Sequence, residues 1–200
     1  MLRRDETWHR LRDWTLGQAP SERLAAQVLH AEGFRDIDPS HPLGGRDGGS
    51  DAMVTKAGRT WIMAVYFPQG QAEFREIKAK ILADYEGVVA NDAEGMAFVT
   101  NQHLTRGERK ALAKSVDGPL DLFHLERVTH VLDRPAMAAV RERYLDIPAG
   151  KAGLDAAARL DVAPKQVVQA VDGWLPADGL VSAAMVVVPE PAVQGAGAFG

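Results

Sequence analysis

A glycine-rich turn followed by two apolar segments, residues 44–67, constrains the fold of this chain more than any other stretch. Its sequence is GGRDGGSDAMVTKAGRTWIMAVYF, in which four glycines surround Asp47 and Asp51. Glycine adopts backbone conformations closed to other residues, so the turn can be tight. The segments after it predict a β-hairpin, with a short strand over 51–56 and a longer apolar strand over 59–67. We therefore expect both aspartates at the mouth of the hairpin, where carboxylates can converge on a cation.

Helical and strand patterns alternate on both sides of the hairpin. A helix from about residue 20 ends at Gly33 and leads into a short strand. A stronger helix covers about 71–90, because five apolar residues recur on one face at 3.6-residue spacing: Phe74, Ile77, Ile81, Tyr85 and Val88. A buried strand (95–100), a charged surface helix (105–115), a further strand and two short helices follow. This order, α-β-β-β-α-β-α-β-α, predicts an α/β fold with a mixed central sheet flanked by helices.

Composition indicates one such domain with an appendage. The chain has 200 residues, of which 46% are hydrophobic, enough for one α/β core. Pro148 ends the alternating pattern, so we assign the domain to residues 1–147. Residues 148–200 form an Ala-, Val- and Gly-rich C-terminal appendage that we expect to be partly flexible.

Several classes of protein are disfavoured by the same composition. The chain has no cysteine, which excludes a disulfide scaffold, a thiolate zinc site and a cysteine nucleophile, and which fits a cytoplasmic protein. No apolar run approaches the ~20 residues needed to span a bilayer, so no membrane association is expected. The net charge of −4 gives no support to strong non-specific binding of nucleic acid, although a local basic patch could still bind DNA.

Outside the hairpin, three polar side chains are candidates for chemistry. Glu22 lies early in the first clear helix, where stabilisation of the helix dipole is the structural interpretation. Lys78 falls on the apolar stripe of its helix, where a lysine either extends to solvent at the edge or meets a carboxylate. His41 precedes the glycine turn and could be a ligand or a base, although a loop histidine is more often neither. Asp47, similarly, could simply bond its own turn.

The early glutamate, the GRDGGSD turn and the apolar strand after it resemble the restriction-endonuclease-like superfamily, the PD-(D/E)xK nucleases. The nearest form is the Mrr-like catalytic domain of type IV restriction enzymes, and the resemblance covers roughly residues 8–132. It implies an αβββαβ core and Mg²⁺-dependent (or Mn²⁺-dependent) endonuclease cleavage of DNA, in restriction or phage defence in bacteria. Nucleases of this fold often act as homodimers, because two strands require two sites.

The resemblance also assigns residues. Asp51 matches the metal-binding aspartate at the start of the second strand, Glu22 matches the acid of the first helix, and Asp47 is a further candidate metal ligand. The next strand departs from the family pattern, because Ala64 stands where Glu or Gln is expected and Tyr66 stands where Lys is expected. The chain is similar here to a set of bacterial restriction-like proteins in which Tyr-Phe-Pro replaces the catalytic tripeptide.

Two explanations of this departure stay open. In the first, the lysine has moved to the following helix, as in some members of the superfamily. Lys78 is then the candidate and Lys80 the reserve, with Gln69 or Gln71 as the replacement strand ligand and Tyr66 orienting water or phosphate. In the second, the site is degenerate, and the domain recognises nucleic acid or a protein partner without cutting. A third hypothesis, an unrelated α/β enzyme with an anion-binding turn, ranks last because the chain has neither a P-loop nor a nucleophile elbow.

Overall fold

The centre of the fold is a five-stranded mixed sheet whose strands lie side by side in chain order. The computed structural model describes residues 5–39 and 52–149, with the backbone alone at 38–39. Its strands are β1 (Arg35–Pro39), β2 (Ala52–Lys56), β3 (Arg59–Tyr66), β4 (Gly95–Thr100) and β5 (Leu120–Phe123). β1, β2 and β3 pair antiparallel, and β4 and β5 continue the sheet parallel to β3. The predicted hairpin and mixed sheet are confirmed.

Helices connect and flank these strands in the predicted order. They are α1 (Glu6–Arg12), α2 (Gln18–Ala31), α3 (Phe74–Ala90), α4 (Arg106–Ala113), α5 (Leu125–Leu132) and α6 (Ala138–Leu145), with a 3₁₀ turn over Pro135–Met137. The start of α2 differs from the prediction, because Pro20 is tolerated within its first turn. Glu22 consequently lies beyond the first turn, which contains no acid. Dipole stabilisation therefore does not explain Glu22, and that interpretation was wrong.

The β2–β3 hairpin closes through a two-residue turn at Ala57 and Gly58. Both residues have positive φ, 53° and 77° respectively. This combination belongs to the type I′ turn, whose twist matches that of the paired strands. The register pairs Lys56 with Arg59 next to the turn and Ala52 with Met63 at the far end. The glycine turn that precedes Ala52, with Asp47, Asp51 and His41, lies outside the described residues, as do residues 150–200.

Helices cover both faces of the sheet, so the fold has two hydrophobic cores. On one face α1, α2, α5 and α6 pack on alternate residues of the strands, namely Val54, Met63, Val65, Ala97, Val99 and Phe123. On the other face α3 and α4 pack on the intervening residues Ile62, Ala64, Met96 and Phe98. We call the second side the α3 face. In the part of the chain that the structure describes, no helix is long and apolar enough to cross a membrane.

Candidate functional site

The topology brings the start of β2 and the ends of β3, β4 and β5 to one edge of the sheet, which we call the carboxyl edge. α3, α4 and α5 begin at this edge, since each follows a parallel strand. Their amino-terminal ends carry partial positive charge that favours anions. In open α/β sheets, ligands usually bind beyond the carboxyl ends of parallel strands. A ligand site is therefore expected at this edge.

A buried glutamine holds the loops of the carboxyl edge together. Gln102 follows β4 and has no exposed surface. Its side-chain nitrogen donates to the Gly70 carbonyl at 2.9 Å and to the Asn101 side-chain oxygen at 2.7 Å. Its side-chain oxygen accepts from the Ala72 amide at 2.6 Å, and its carbonyl accepts from the Leu125 amide at 3.0 Å. One residue thus fixes the loop before α3 and the start of α5.

The neighbouring Asn101 fastens a third loop to the same place. Its side-chain nitrogen donates to the carbonyls of Leu11 and Pro68, both at 3.0 Å. The end of α1 is thereby held near the end of β3, where the ring of Trp14, in the α1–α2 connection, also meets that of Phe67 edge to face at 5.4 Å. Buried amides with satisfied hydrogen bonds position loops rigidly. The backbone of this edge is therefore organised in advance of any ligand.

Four side chains beyond β4 and β5 form a continuous hydrogen-bonded row. His103 Nδ1 and Glu126 Oε1 are hydrogen-bonded, and His124 Nδ1 lies 2.8 Å from Glu126 Oε2. His124 Nε2 in turn lies 2.8 Å from a guanidinium nitrogen of Arg109. Since a guanidinium only donates, His124 Nε2 must accept, and its proton resides on Nδ1 and is donated to Glu126. The exposed end of the row is His103, whose backbone amide donates to the side-chain oxygen of Gln71 at 3.1 Å.

The electrostatics of this row agree with a neutral His124. Burial lowers the pKa of His124; the Glu126 hydrogen bond acts in the opposite direction, and the Arg109 charge lowers the pKa again, so that it lies below its ordinary value. Burial raises the pKa of Glu126, but hydrogen bonds with His103 and His124 outweigh it and leave this pKa below its ordinary value. Near neutral pH Glu126 is therefore a carboxylate, and His124 is a neutral, buried imidazole between it and the Arg109 guanidinium.

The positions of the missing strand motif point toward the α3 face. Ala64 is completely buried among the residues that pack under α3, and Tyr66, at the end of β3, is half-buried against the same group. Lys78 comes from α3 and is half-buried. It makes no ion pair or side-chain hydrogen bond with another described residue. Lys78, the lysine predicted from the sequence, thus lies on the side of the sheet toward which Ala64 and Tyr66 project.

The reserve lysine has a structural partner. Lys80 Nζ lies 2.6 Å from a carboxylate oxygen of Asp84, whose side chain is only 3% exposed. Burial raises the pKa of Asp84, and Lys80 opposes that rise without cancelling it. Gln71, a proposed replacement ligand, is likewise engaged with the backbone of His103. Among the sequence candidates on α3, Lys78 is therefore the lysine left for other chemistry.

Glu22 lies on the other side of the sheet from Lys78, because α2 and α3 pack on opposite faces. It is half-buried on α2, so it would have to reach Lys78 around the carboxyl edge. Within residues 5–39 and 52–149, no group of three or more His, Asp or Glu side chains is arranged to hold a metal ion. The ligands implied by the resemblance, Asp47 and Asp51, lie outside those ranges, so the described residues do not supply a metal site by themselves.

A second group of charges, at the opposite edge of the sheet, is structural. Asp121 accepts from Lys56 at 2.7 Å and from Arg127 at 2.5 Å. Glu32 accepts from Arg127 at 3.2 Å and from Arg134 at 2.7 Å. Each charge is paired, and the group ties the end of α2 and the side of α5 to the sheet. It leaves no cation or carboxylate unpaired for a ligand.

Comparisons with protein-family models, with curated proteins and with solved structures each found no match for this chain. Function is therefore inferred from the residues themselves.

The row of His103, Glu126, His124 and Arg109 was missed by reasoning from the sequence. A signal was present for His103, which closely follows the predicted strand β4, whereas the strand predicted over 119–125 included His124, which in the structure directly follows β5. Polar residues at the carboxyl ends of adjacent parallel strands meet at one edge. The charged helix was predicted, but the contact of its Arg109 with His124, fifteen residues later, depends on how β5 packs beside β4.

Proposed function

We propose that this chain is a metal-dependent DNA endonuclease of the restriction-endonuclease-like fold, with Lys78 as its catalytic lysine. The observation that supports it best is the position of Lys78. It is half-buried, it has no ion-pair partner among the described residues, and it lies on the face toward which Ala64 and Tyr66 project. An ammonium group that has no counter-charge among the described residues is available to bind a phosphate anion, while the stem of the lysine packs at the edge of the apolar stripe.

The roles follow from the chemistry of phosphodiester hydrolysis. Asp51, with Asp47 and Glu22, would hold Mg²⁺ or Mn²⁺, which lowers the pKa of a bound water and offsets phosphate charge. Lys78 would stabilise the negative charge that develops on the phosphate oxygens as water attacks. Tyr66, half-buried at the end of β3, would use its hydroxyl to orient the water or the phosphate. The buried Gln102 would keep the loop before α3 in place.

A second candidate function is a non-catalytic module that recognises nucleic acid or a defence partner. The completely buried Ala64 favours it, because β3 then offers no carboxylate or amide to a metal at that position. The segment from Trp61 to Gln71 contains no lysine and no acid. In this alternative the fold and the binding surface are retained while cleavage is lost.

The test is cleavage of plasmid and single-stranded DNA by the purified chain in EDTA, Mg²⁺ or Mn²⁺. We expect cleavage only with metal, and none from Asp51→Asn, which keeps the size of the side chain and removes its charge. DNA binding is measured on the same samples. Binding without cleavage under every metal condition would refute the nuclease and support the non-catalytic module.

A further inference from the structure

α4 and its C-cap residue carry three cations on one exposed stripe. Arg106, Lys110 and Lys114 recur every four residues, and all three side chains are exposed. We call them the α4 stripe. Residues four apart lie on the same side of a helix and about 6 Å apart along its axis. The stripe is therefore a row of positive charge that extends about 12 Å along the helix axis.

These cations are not engaged within the described fold. None of the three makes an ion pair or side-chain hydrogen bond with another described residue. The acid of the same helix, Glu108, is occupied by the capping box with Thr105, which it contacts at 2.8 Å. Arg109, next to the stripe, adds a further positive charge where it meets His124. The stripe is thus locally basic on a chain whose net charge is −4.

Helix stability explains only part of this arrangement. Cations near the end of a helix interact favourably with its dipole, which accounts for Lys110 and Lys114. Arg106 is the first residue of α4, where the dipole is positive and a cation is unfavourable. The helix dipole therefore does not account for Arg106, whereas charge complementarity to a polyanion would account for all three cations.

The α4 stripe belongs to a helix of the α3 face, the side of the sheet that also carries Lys78. α4 packs on the α3 face through the completely buried Leu112, and Leu104, just before the helix, joins the same core. Lys78 lies on α3, the other helix of that face. A ligand held by α4 would consequently lie on the same side of the sheet as the proposed catalytic lysine.

We infer that the α4 stripe binds the phosphate backbone of a nucleic acid. One strand of a duplex presents a phosphate about every 3.4 Å along its axis, so cations about 6 Å apart match roughly every second phosphate. Contacts of this kind read no base sequence and position the strand. The inference deepens the proposed function and rests on it for the choice of nucleic acid over other polyanions.

The test is the triple variant Arg106→Gln, Lys110→Gln and Lys114→Gln. Glutamine has nearly the helix propensity of Arg and Lys, so α4 should persist, and circular dichroism checks this. A matched control removes three exposed cations elsewhere and lowers the net charge equally: Arg10→Gln, Arg59→Gln and Arg143→Gln. Binding of a labelled duplex and of a single strand is measured by fluorescence anisotropy in EDTA, over a range of salt concentrations.

We expect the stripe variant to bind duplex DNA at least about tenfold more weakly. The slope of log K against log salt should fall in magnitude by about 2 to 3, as for three lost phosphate contacts. The control variant should retain both the affinity and the slope of the unaltered chain. An unchanged stripe variant, an equal loss in the control, or equally tight binding of polyglutamate would overturn the inference.

Because EDTA prevents metal-dependent cleavage, the two proposals fail separately. If the chain binds DNA through the α4 stripe but never cleaves it, the proposed binding surface is supported and the proposed nuclease activity is refuted. If the chain cleaves DNA while the stripe variant binds DNA normally, the nuclease activity is supported and the binding surface is refuted.

Discussion

Replacing Gln102 with leucine should destabilise the protein far more than an ordinary surface change. The side chain has no exposed surface and makes three hydrogen bonds of 2.6 to 2.9 Å, to the backbone of Gly70 and Ala72 and to Asn101. A net contribution of about 1 kcal/mol for each bond gives a loss of about 3 kcal/mol in the free energy of unfolding. Leucine is similar in volume, so the loss reports on hydrogen bonding more than on a cavity.

Urea denaturation of the full chain measures this loss. For typical slopes in urea, a loss of about 3 kcal/mol lowers the midpoint by about 1 to 3 M. The matched control is Gln71→Leu, which removes exposed bonds to Ala72 and His103 and should cost less than about 1 kcal/mol because water replaces them. A loss below about 1 kcal/mol for Gln102→Leu, or equal losses for both variants, would refute the role of Gln102 as the central support of the carboxyl edge.

Three further predictions concern stability. Because the pKa of His124 is lowered in the folded protein, the unfolded chain binds a proton at higher pH than the folded chain does, so the free energy of unfolding should fall as the pH drops below about 6.5. Urea midpoints should fall less for His124→Gln than for the unaltered chain. An identical fall in both would contradict a neutral, buried His124. Gly95→Ala would place a Cβ 2.5 Å from a backbone carbonyl oxygen of the next segment and should cost about 1–3 kcal/mol. Gly107→Ala would place a Cβ no nearer than 4.0 Å to the atoms around it and should stabilise α4 by up to about 1 kcal/mol. The melting temperature should therefore fall for Gly95→Ala and rise for Gly107→Ala. Lys80→Met removes the cation from the buried Asp84 carboxylate and should cost about 1–2 kcal/mol; the loss should be greater at neutral than at acid pH, and a loss independent of pH would argue against the pairing.

Local patterns predicted the elements of this fold well. The apolar stripe of α3 and the apolar segments and tight turn of the β2–β3 hairpin depend on neighbours within one segment, and all three elements lie within a few residues of their predicted limits. The site was predicted less well, because its contacts join distant segments. Ala64 and Lys78 share a face only after α3 has crossed over, and His103 meets Glu126 only after β5 has docked beside β4.

The placement of Glu22 shows the same limit. Its early position in a helix matched a family pattern, but the face on which that helix packs is decided by Leu24, Val28 and Leu29. Periodicity shows that these residues are buried without showing which side of the sheet they cover. The opposite locations of α2 and α3 could therefore not be obtained from the sequence.

The measurement that tests the central claim most directly is single-turnover cleavage of DNA by Lys78→Met in Mg²⁺ or Mn²⁺. The matched control is Arg75→Met, which removes one exposed cation from the same helix. If Lys78 stabilises the developing phosphate charge, the rate should fall by about 10²–10³, while DNA binding in EDTA stays close to that of the unaltered chain. The control should cleave at nearly the unaltered rate. Cleavage by Lys78→Met at the rate of the control would contradict the assignment of the catalytic lysine to α3.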